Sequence, residues 1–180
     1  IARLISSSKS NFFFDVGANI GSCSFAAAAL GKRAIAFEPN PRNIAIMKRT
    51  VSRNKWEDLI TLIECGASNT SGPVELFFLP DNMGHGMVGS RQVRIESEYV
   101  RAASCTVKID NLMNELGNGG SVDIIKIDTE GHELLALQGA AGLLADKHKR
   151  PRYIQFEVNS EALMAQGFQP NDIRSFLHGF

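Results

Sequence analysis

Short apolar runs alternate with longer amphipathic segments along the first third of the chain. Phe12–Val16 and residues 34–37 are short, largely apolar runs, which are typical of buried strands. The alanine-rich residues 20–30 between them predict a helix, because alanine is the strongest helix former. Pro39-Asn40-Pro41 then begins a second helix, in which apolar residues recur at helical spacing until Asn54. The pattern therefore predicts the element order β-α-β-α.

The rest of the chain continues this alternation. Further strands are predicted at residues 59–63, 74–79, 107–109, 122–127 and 153–158. Further helices are predicted at residues 110–116, 130–144 and 172–178. Residues 74–79 indicate half of an inserted hairpin, and the glycine-rich residues 81–90 indicate a mobile loop near the site. Because parallel strands need crossover connections, this order predicts a Rossmann-like three-layer α/β sandwich with a mostly parallel sheet.

Size and composition indicate one folded domain over residues 1–180. Apolar residues make up 44% of the chain and charged residues 21%, which is average for a globular protein and excludes a disordered or collagen-like chain. The 19 Lys and Arg side chains balance 19 Asp and Glu side chains. The chain therefore has no general electrostatic attraction to nucleic acid or to an anionic membrane, and a ligand must be recognised locally.

The three cysteines and the apolar runs bear on the compartment. Cys23, Cys65 and Cys105 match neither a disulfide framework nor a metal-binding motif, so we predict reduced, buried thiols and no metal site. No apolar run is long enough to span a bilayer, and no signal-peptide pattern begins the chain. These features favour a cytoplasmic location. The chain begins at Ile1 rather than Met, and we expect it to be part of a longer protein.

Acids and glycines follow two of the predicted strands. Residues 15–21, Asp-Val-Gly-Ala-Asn-Ile-Gly, lead from the first strand into a helix, and Gly17 and Gly21 allow a ligand to approach the main chain. Glu38 ends the second strand, 23 residues after Asp15, where a carboxylate can accept ribose hydroxyls. The carboxyl ends of parallel strands share one sheet edge, so these residues predict a site for a nucleoside-like cofactor.

The glycine spacing distinguishes between cofactors. A nicotinamide enzyme is expected to carry GxGxxG, whereas this turn has Gly17, Asn19 and Gly21 at alternate positions. No GxxxxGK[ST] motif for ATP is present. Asp15 would repel a pyrophosphate, but it suits a cofactor that has an amino group and a sulfonium. S-adenosylmethionine has both groups, and NAD is the alternative.

A third polar segment begins where the strand before Asp128 ends. Asp128 and His132 are expected at the same sheet edge as the other two acids, and a neutral histidine there could accept a hydroxyl proton. A structural role is the alternative for His132. For Glu130 and Glu133 the alternative is an ordinary acidic first turn of a helix.

Four stretches of the chain together resemble a known family. FDVGANIGSCSF, AFEPNP, VDIIKIDTEGHELLALQGA and PRYIQFEV are similar to the FkbM-type methyltransferases, which are class I enzymes that use S-adenosylmethionine. The resemblance extends over residues 11–180, and IKIDTEGHE is its most specific part. The C-terminal strands that the class I fold adds after its last helix are absent from this chain, so the sheet is expected to be incomplete or completed by other residues.

The resemblance implies roles for individual residues. The expected cofactor-binding residues are those of the two strand-end turns: Asp15, Gly17, Ala18, Asn19, Gly21, Glu38 and Pro39. Within this group Glu38 would hold the ribose, and the glycine turn would line the methionine end of the cofactor. The expected catalytic residues are Asp128, Glu130 and, conditionally, His132. Asp128 and Glu130 would face the transferred methyl group and the acceptor.

Oxygen is the expected acceptor atom. The chain lacks the Asn/Asp-Pro-Pro-aromatic tetrapeptide of many enzymes that methylate base amines, and the family usually methylates hydroxyls. The resemblance therefore implies an O-methyltransferase that acts on a sugar, glycolipid or natural product, chosen by residues 81–101. The alternatives are an NAD-dependent oxidoreductase and a non-catalytic module that binds S-adenosylmethionine.

Overall fold

Five parallel strands form the main sheet of the protein. The computed structural model describes residues 1–8, 12–79, 82–88, 100–116 and 121–180. In chain order the strands of these residues are β1 (Phe12–Val16), β2 (Arg33–Phe37), β3 (Ile60–Ile63), β4 (Gly66–Ala67), β5 (Gly72–Leu79), β6 (Asn82–Val88), β7 (Val100–Val107), β8 (Val122–Ile127) and β9 (Tyr153–Phe156). The main sheet has the order β3-β2-β1-β8-β9, and its strand pairs are parallel, as predicted. The order reverses between β1 and β8, and ligands bind at such topological switch points.

Helices connect the strands of this sheet. They are α1 (Ala2–Ser7), α2 (Ser22–Ala29), α3 (Pro41–Asn54), α4 (Glu133–Gln138), α5 (Ala141–Ala145), α6 (Ser160–Ala165) and α7 (Pro170–Leu177), with a 3₁₀ helix at Ile109–Leu116. In the part of the chain that the structure describes, no helix has the length and apolar character needed to cross a bilayer.

The helices cover both faces of the sheet, because neighbouring residues of a strand point to opposite faces. On β1, Phe13 belongs to an apolar cluster with Ala27 of α2 and Val51 of α3. The next residue, Phe14, belongs to a second cluster with Leu137 of α4 and Ile173 of α7. The predicted three-layer α/β sandwich is therefore confirmed.

The long helix predicted before β9 is instead two helices, α4 and α5. At Gly139, between them, a Cβ would lie 2.0 Å from the carbonyl oxygen of Ser68, so the chain passes close to the end of β4. The Asp110 carboxylate then accepts hydrogen bonds from the main-chain nitrogens of Gly142 and Leu143, at 2.7 and 2.8 Å. These bonds cap a new helix start, which separates α5 from α4.

A second sheet has the order β4-β7-β5-β6. The hairpin predicted at residues 74–79 is confirmed, because β5 pairs antiparallel with β6 and with β7. The mobile loop predicted at residues 81–90 is wrong over Asn82–Val88, which form β6. Pairing with β5 supplies the main-chain hydrogen bonds of this strand, and its own sequence has no strand periodicity. Residues 80, 81 and 89–99 lie outside the described residues.

A disulfide links the second sheet to the segment that follows β3. Cys65 and Cys105 are bonded, with their Cα atoms 4.8 Å apart, whereas Cys23 is free. The prediction of three reduced thiols is therefore wrong for this pair, because pairing depends on proximity in the fold and not on spacing in the sequence. Disulfides persist mainly in oxidising compartments, so the cysteines no longer favour a cytoplasmic location.

Candidate functional site

The turn after β1 lies at the switch point and is held from both sides. The main-chain N–H groups of Gly17 and Ala18 donate to the Phe37 carbonyl of β2, at 3.0 and 2.9 Å. On the other side, the Asp128 N–H donates to the Val16 carbonyl at 3.0 Å. Gly17 has a φ of +75°, and a Cβ there would lie 1.8 Å from the Asp128 carbonyl oxygen. Only glycine therefore fits at this position.

Asp15 is fully buried beneath this turn. One carboxylate oxygen accepts hydrogen bonds from the main-chain nitrogen and the hydroxyl of Ser24, at 2.9 and 2.6 Å. The other oxygen lies 3.3 Å from the Lys126 ammonium. The carboxylate thus binds the first turn of α2 and does not stand at the surface, so a direct contact with the sulfonium or amino group of a cofactor is not supported.

Glu38 joins the turns that follow β1 and β2. Its carboxylate is in a residue that is only 5% exposed, and it accepts bonds from the main-chain nitrogens of Asn19 (2.8 Å) and Asn40 (2.9 Å) and from Nδ2 of Asn43 (3.1 Å). Burial raises the pKa of the Glu38 carboxyl, and these bonds offset only part of that effect. A carboxylate has about four acceptor positions, so about one remains for a ligand hydroxyl.

The second sheet flanks the same region. The Ser104 hydroxyl of β7 donates to the Pro39 carbonyl at 2.9 Å, and the Arg42 guanidinium of α3 lies 5.3 Å from the centre of the Phe78 ring of β5. The turn that contains Glu38 and Pro39 is therefore supported from the second sheet as well as from the turn after β1.

Lys126, to which sequence reasoning assigned no role, connects the glycine turn to the end of β8. Its ammonium donates to the Gly17 carbonyl at 2.8 Å and lies 3.3 Å from Asp15 and 3.5 Å from Asp128. Burial lowers the pKa of Lys126, but the two carboxylates outweigh burial and the pKa lies above its ordinary value. A charged residue within the apolar strand VDIIKI was the available signal.

Asp128 and Glu130 line a cavity of about 240 Å³ beside this connection, together with Glu133, Glu157 and Asn159. The Asp128 side chain is 38% exposed. Glu130 has a φ of +51° and accepts a hydrogen bond from Nδ2 of Asn159 at 3.2 Å. The two acids predicted to be catalytic thus share one cavity. In the described residues no three acid, histidine or cysteine side chains group as metal ligands.

Glu133 shapes the loop that precedes α4. Its buried carboxylate accepts bonds from the main-chain nitrogens of Thr129 (3.2 Å) and Gly131 (2.9 Å) and from the Thr129 hydroxyl (3.3 Å). Burial raises the pKa of Glu133, and these bonds offset part of the rise. Glu133 therefore has the helix-start role that was the alternative for it, and it holds the loop that carries Glu130.

His132 is buried between α4 and the second sheet. It is 7% exposed, and its Nε2 atom lies 3.1 Å from the Ser68 hydroxyl, which follows β4. Burial lowers the pKa of the imidazole to about 4, so the ring is neutral at pH 7. These contacts support the structural role for His132, and a catalytic role stays a prediction.

The buried imidazole predicts a loss of stability in acid. Its folded pKa of about 4 lies below the unfolded value of about 6.5, so the unfolded chain binds the proton first. The associated stability is complete above about pH 6.5 and is lost as the pH falls through about 4, by about 3 kcal/mol in all. In urea unfolding over this range we expect a smaller loss for His132→Gln than for the wild type. The exposed His178→Gln is the control and should match the wild type, and equal losses in all three proteins would contradict the prediction.

The strand order, the glycine turn at the switch point and the acid that ends β2 define a Rossmann-like α/β protein. The family model described as the methyltransferase FkbM domain matches residues 15–180. The chain therefore belongs to the FkbM methyltransferase family, as the resemblance of its motifs predicted.

Two curated relatives are methyltransferases by name. Methyltransferase sdnD of Sordaria araneosa is 27% identical over 154 residues, which cover 71% of this chain and 60% of that protein. The hexuronic acid methyltransferase AglP of Haloferax volcanii is 26% identical over 173 residues, which cover 94% of this chain and 62% of that protein. The chain thus spans less than two thirds of the length of either relative.

Solved structures give weaker matches. The crystal structure of methyltransferase FkbM from Methylobacillus flagellatus KT matches with a TM-score of 0.48 and 24% identity, over 73% of this chain and 29% of that chain. Precorrin 8W decarboxylase of Methanobacterium thermoautotrophicum matches with a TM-score of 0.45 and 17% identity, over 93% and 68% of the two chains.

Proposed function

We propose that this protein transfers a methyl group from S-adenosylmethionine to a hydroxyl group of a sugar, glycolipid or natural product. The observation that carries the proposal is the pair of strand-end turns at the switch point, which Glu38 joins through its 2.8 Å bond from Asn19. Membership of the FkbM methyltransferase family supports methyl transfer as the reaction. The proposal treats residues 1–180 as one domain.

The residues at the two turns fit such a cofactor. Gly17 leaves no side chain between the turn and β8, and the Glu38 carboxylate retains about one acceptor position for a ribose hydroxyl. The Ile20 side chain on the same turn is 44% exposed and offers an apolar contact. When bound, S-adenosylmethionine supplies an electrophilic methyl group on a sulfonium.

The protein's own contribution is mainly alignment. In-line transfer requires the acceptor oxygen to be held in one direction, and alignment can supply most of the acceleration of such a step. Asp128 and Glu130 share the cavity next to the glycine turn, where their carboxylates can accept the hydrogen bond of an acceptor hydroxyl. In our proposal these two acids orient the acceptor and His132 supports α4.

The acceptor class rests on two further observations. The Haloferax relative, by its name, methylates a hexuronic acid, which is a sugar. The balanced charge of this chain favours a small molecule or a glycan over a nucleic acid. We therefore place the first test on glycans and glycolipids.

Calorimetry tests the cofactor. We expect wild-type protein to bind S-adenosylmethionine and its demethylated product but not NAD. Glu38→Gln should weaken both interactions by about ten-fold or more, because a hydrogen bond to a charged group contributes about 1.5–3 kcal/mol. The control is Glu64→Gln, in which an exposed acid directly after β3 is changed. Thermal unfolding of both variants separates lost binding from lost folding, because Glu38 also joins two turns.

Three results would contradict the proposed function. Binding of NAD in place of S-adenosylmethionine would favour the oxidoreductase. Unchanged affinity in Glu38→Gln would remove this carboxylate from the site. Tight cofactor binding without turnover on any glycan, glycolipid or natural-product acceptor would favour the non-catalytic binding module.

A further inference from the structure

Lys126 lies where the two halves of the proposed site meet. β1 and β8 are adjacent parallel strands, and their register places Asp15 beside Lys126. The Lys126 ammonium extends from β8 to the glycine turn, where it donates to the Gly17 carbonyl at 2.8 Å. It also lies 3.5 Å from the carboxylate of Asp128, which lines the acceptor cavity. One side chain thus contacts the turn proposed for the cofactor and the acid proposed for the acceptor.

The three oxygens around this ammonium account for its hydrogen-bonding capacity. A lysine ammonium has three N–H donors and no acceptor, and here it faces oxygens of Asp15, Gly17 and Asp128. The side chain is only 14% exposed, so solvent screens these interactions weakly. Its raised pKa keeps it charged through the neutral range. The group is therefore fully used within the protein, which suits holding other groups better than proton transfer.

We propose that Lys126 is a positioning residue for methyl transfer: it fixes the Asp128 carboxylate relative to the Gly17 turn. The proposal rests on the proposed function, because alignment matters only if cofactor and acceptor meet here. A displacement of about 1 Å can cost about 100-fold in rate, so a fixed distance between these two groups is a catalytic requirement. The main-chain bond from Asp128 to Val16 fixes the backbone, and Lys126 fixes the carboxylate.

Hydrogen exchange in the free protein tests the connection without any cofactor. In Lys126→Met we expect the main-chain amides of residues 17–21 and 128–131 to exchange about ten-fold faster, because the charged connection between them is lost. Lys32→Met is the matched control. The Lys32 ammonium also donates to a main-chain carbonyl, that of Ser8 at 2.9 Å, but it lies beside the other end of the sheet, just before β2. That variant should leave exchange at the two site segments unchanged.

Turnover tests the positioning role. We expect Lys126→Met to lower kcat by about 10–100-fold on an active acceptor while cofactor affinity changes by less than about three-fold. Lys126→Gln retains a donor for the Gly17 carbonyl without the charge, and it should show the same separation of kcat from affinity. In a double-mutant cycle, adding Lys126→Met to Asp128→Asn should lower kcat little further, because both changes remove one interaction.

The outcomes separate this inference from the proposed function. If wild-type protein does not bind S-adenosylmethionine, the proposed function fails, and the hydrogen-exchange result still reports on the connection. If wild-type protein is active and both Lys126 variants retain its kcat, the positioning role is wrong. Additive losses in the cycle, or faster exchange throughout the chain, would indicate a general stabilising role and would also overturn it.

Discussion

Gly17→Ala is expected to abolish cofactor binding, with a loss of affinity of about 100-fold or more. The added Cβ would lie 1.8 Å from the Asp128 carbonyl oxygen, which is main chain and cannot rotate away. The turn itself is held by bonds from Gly17 and Ala18 to Phe37, so relief requires that β1 and β8 separate at the switch point. The φ of +75° adds a conformational cost of about 1–2 kcal/mol for a residue with a side chain.

Gly31→Ala is the matched control for this prediction. Gly31 also has a left-handed φ, +71°, but a Cβ there would meet nothing within 4 Å. That variant should lose only the conformational term, about 1 kcal/mol in unfolding free energy, and should bind cofactor like the wild type. Calorimetry and urea unfolding of the two variants measure both quantities. Wild-type affinity in Gly17→Ala would show that the glycine turn is not part of the cofactor site.

The main sheet could be predicted from the sequence because its strands are buried on both faces. Such strands are continuous apolar runs, and β8 has the predicted bounds, Val122–Ile127. α3 was equally readable, since its start depends on local chemistry: the Asn40 side chain accepts a bond from the Arg42 nitrogen at 3.0 Å, and Pro41 is the first residue. Elements whose stability is local or fully buried leave a signal in their own residues.

The second sheet depends on contacts between distant parts of the chain. β6 is a strand because β5 pairs with it, and the Cys65–Cys105 disulfide joins residues 40 positions apart. Neither feature has a period or a motif of its own. The division of the predicted long helix has a similar cause, because Asp110, more than 30 residues upstream, caps α5.

At the candidate site, the sequence indicated which residues gather but not which way they point. The acids that end β1, β2 and β8 do lie at one edge, as parallel pairing requires. However, the Asp15 carboxylate binds Ser24 and Lys126, and the Glu38 carboxylate bonds to three donors of the protein. Side-chain direction depends on neighbours that only the fold supplies, and the same reason hid the role of Lys126.

This arrangement divides the acids between two tasks. Asp15, Glu38 and Glu133 are buried and use their carboxylates to hold turns, whereas Asp128 has a partly exposed carboxylate in a cavity. Buried carboxylates that bond to main-chain nitrogens make the site rigid, because each one fixes a loop that would otherwise move. The exposed one is free to contact an acceptor. Substitution should therefore affect folding or binding in the first group and turnover at Asp128.

Asp128→Asn is accordingly expected to lower kcat by about 100-fold or more while cofactor affinity changes by less than about three-fold. Asparagine has the same shape and keeps one acceptor oxygen for Lys126, so the fold should survive, but the charge that orients an acceptor hydroxyl is lost. An interaction made chiefly in the transition state appears in kcat and not in binding. Glu130→Gln should show a smaller loss, about ten-fold, because Glu130 already accepts a bond from Asn159.

Steady-state kinetics on a verified acceptor, with calorimetry for the cofactor, measure the two effects separately. Asp58→Asn, which changes an exposed acid between α3 and β3, is the control and should retain both kcat and affinity. Equal losses of kcat and affinity in Asp128→Asn would place this carboxylate at the cofactor instead of the acceptor. Wild-type turnover in both Asp128→Asn and Glu130→Gln would mean that the acceptor is oriented by other residues, and the roles that the family resemblance implies for these two acids would be wrong.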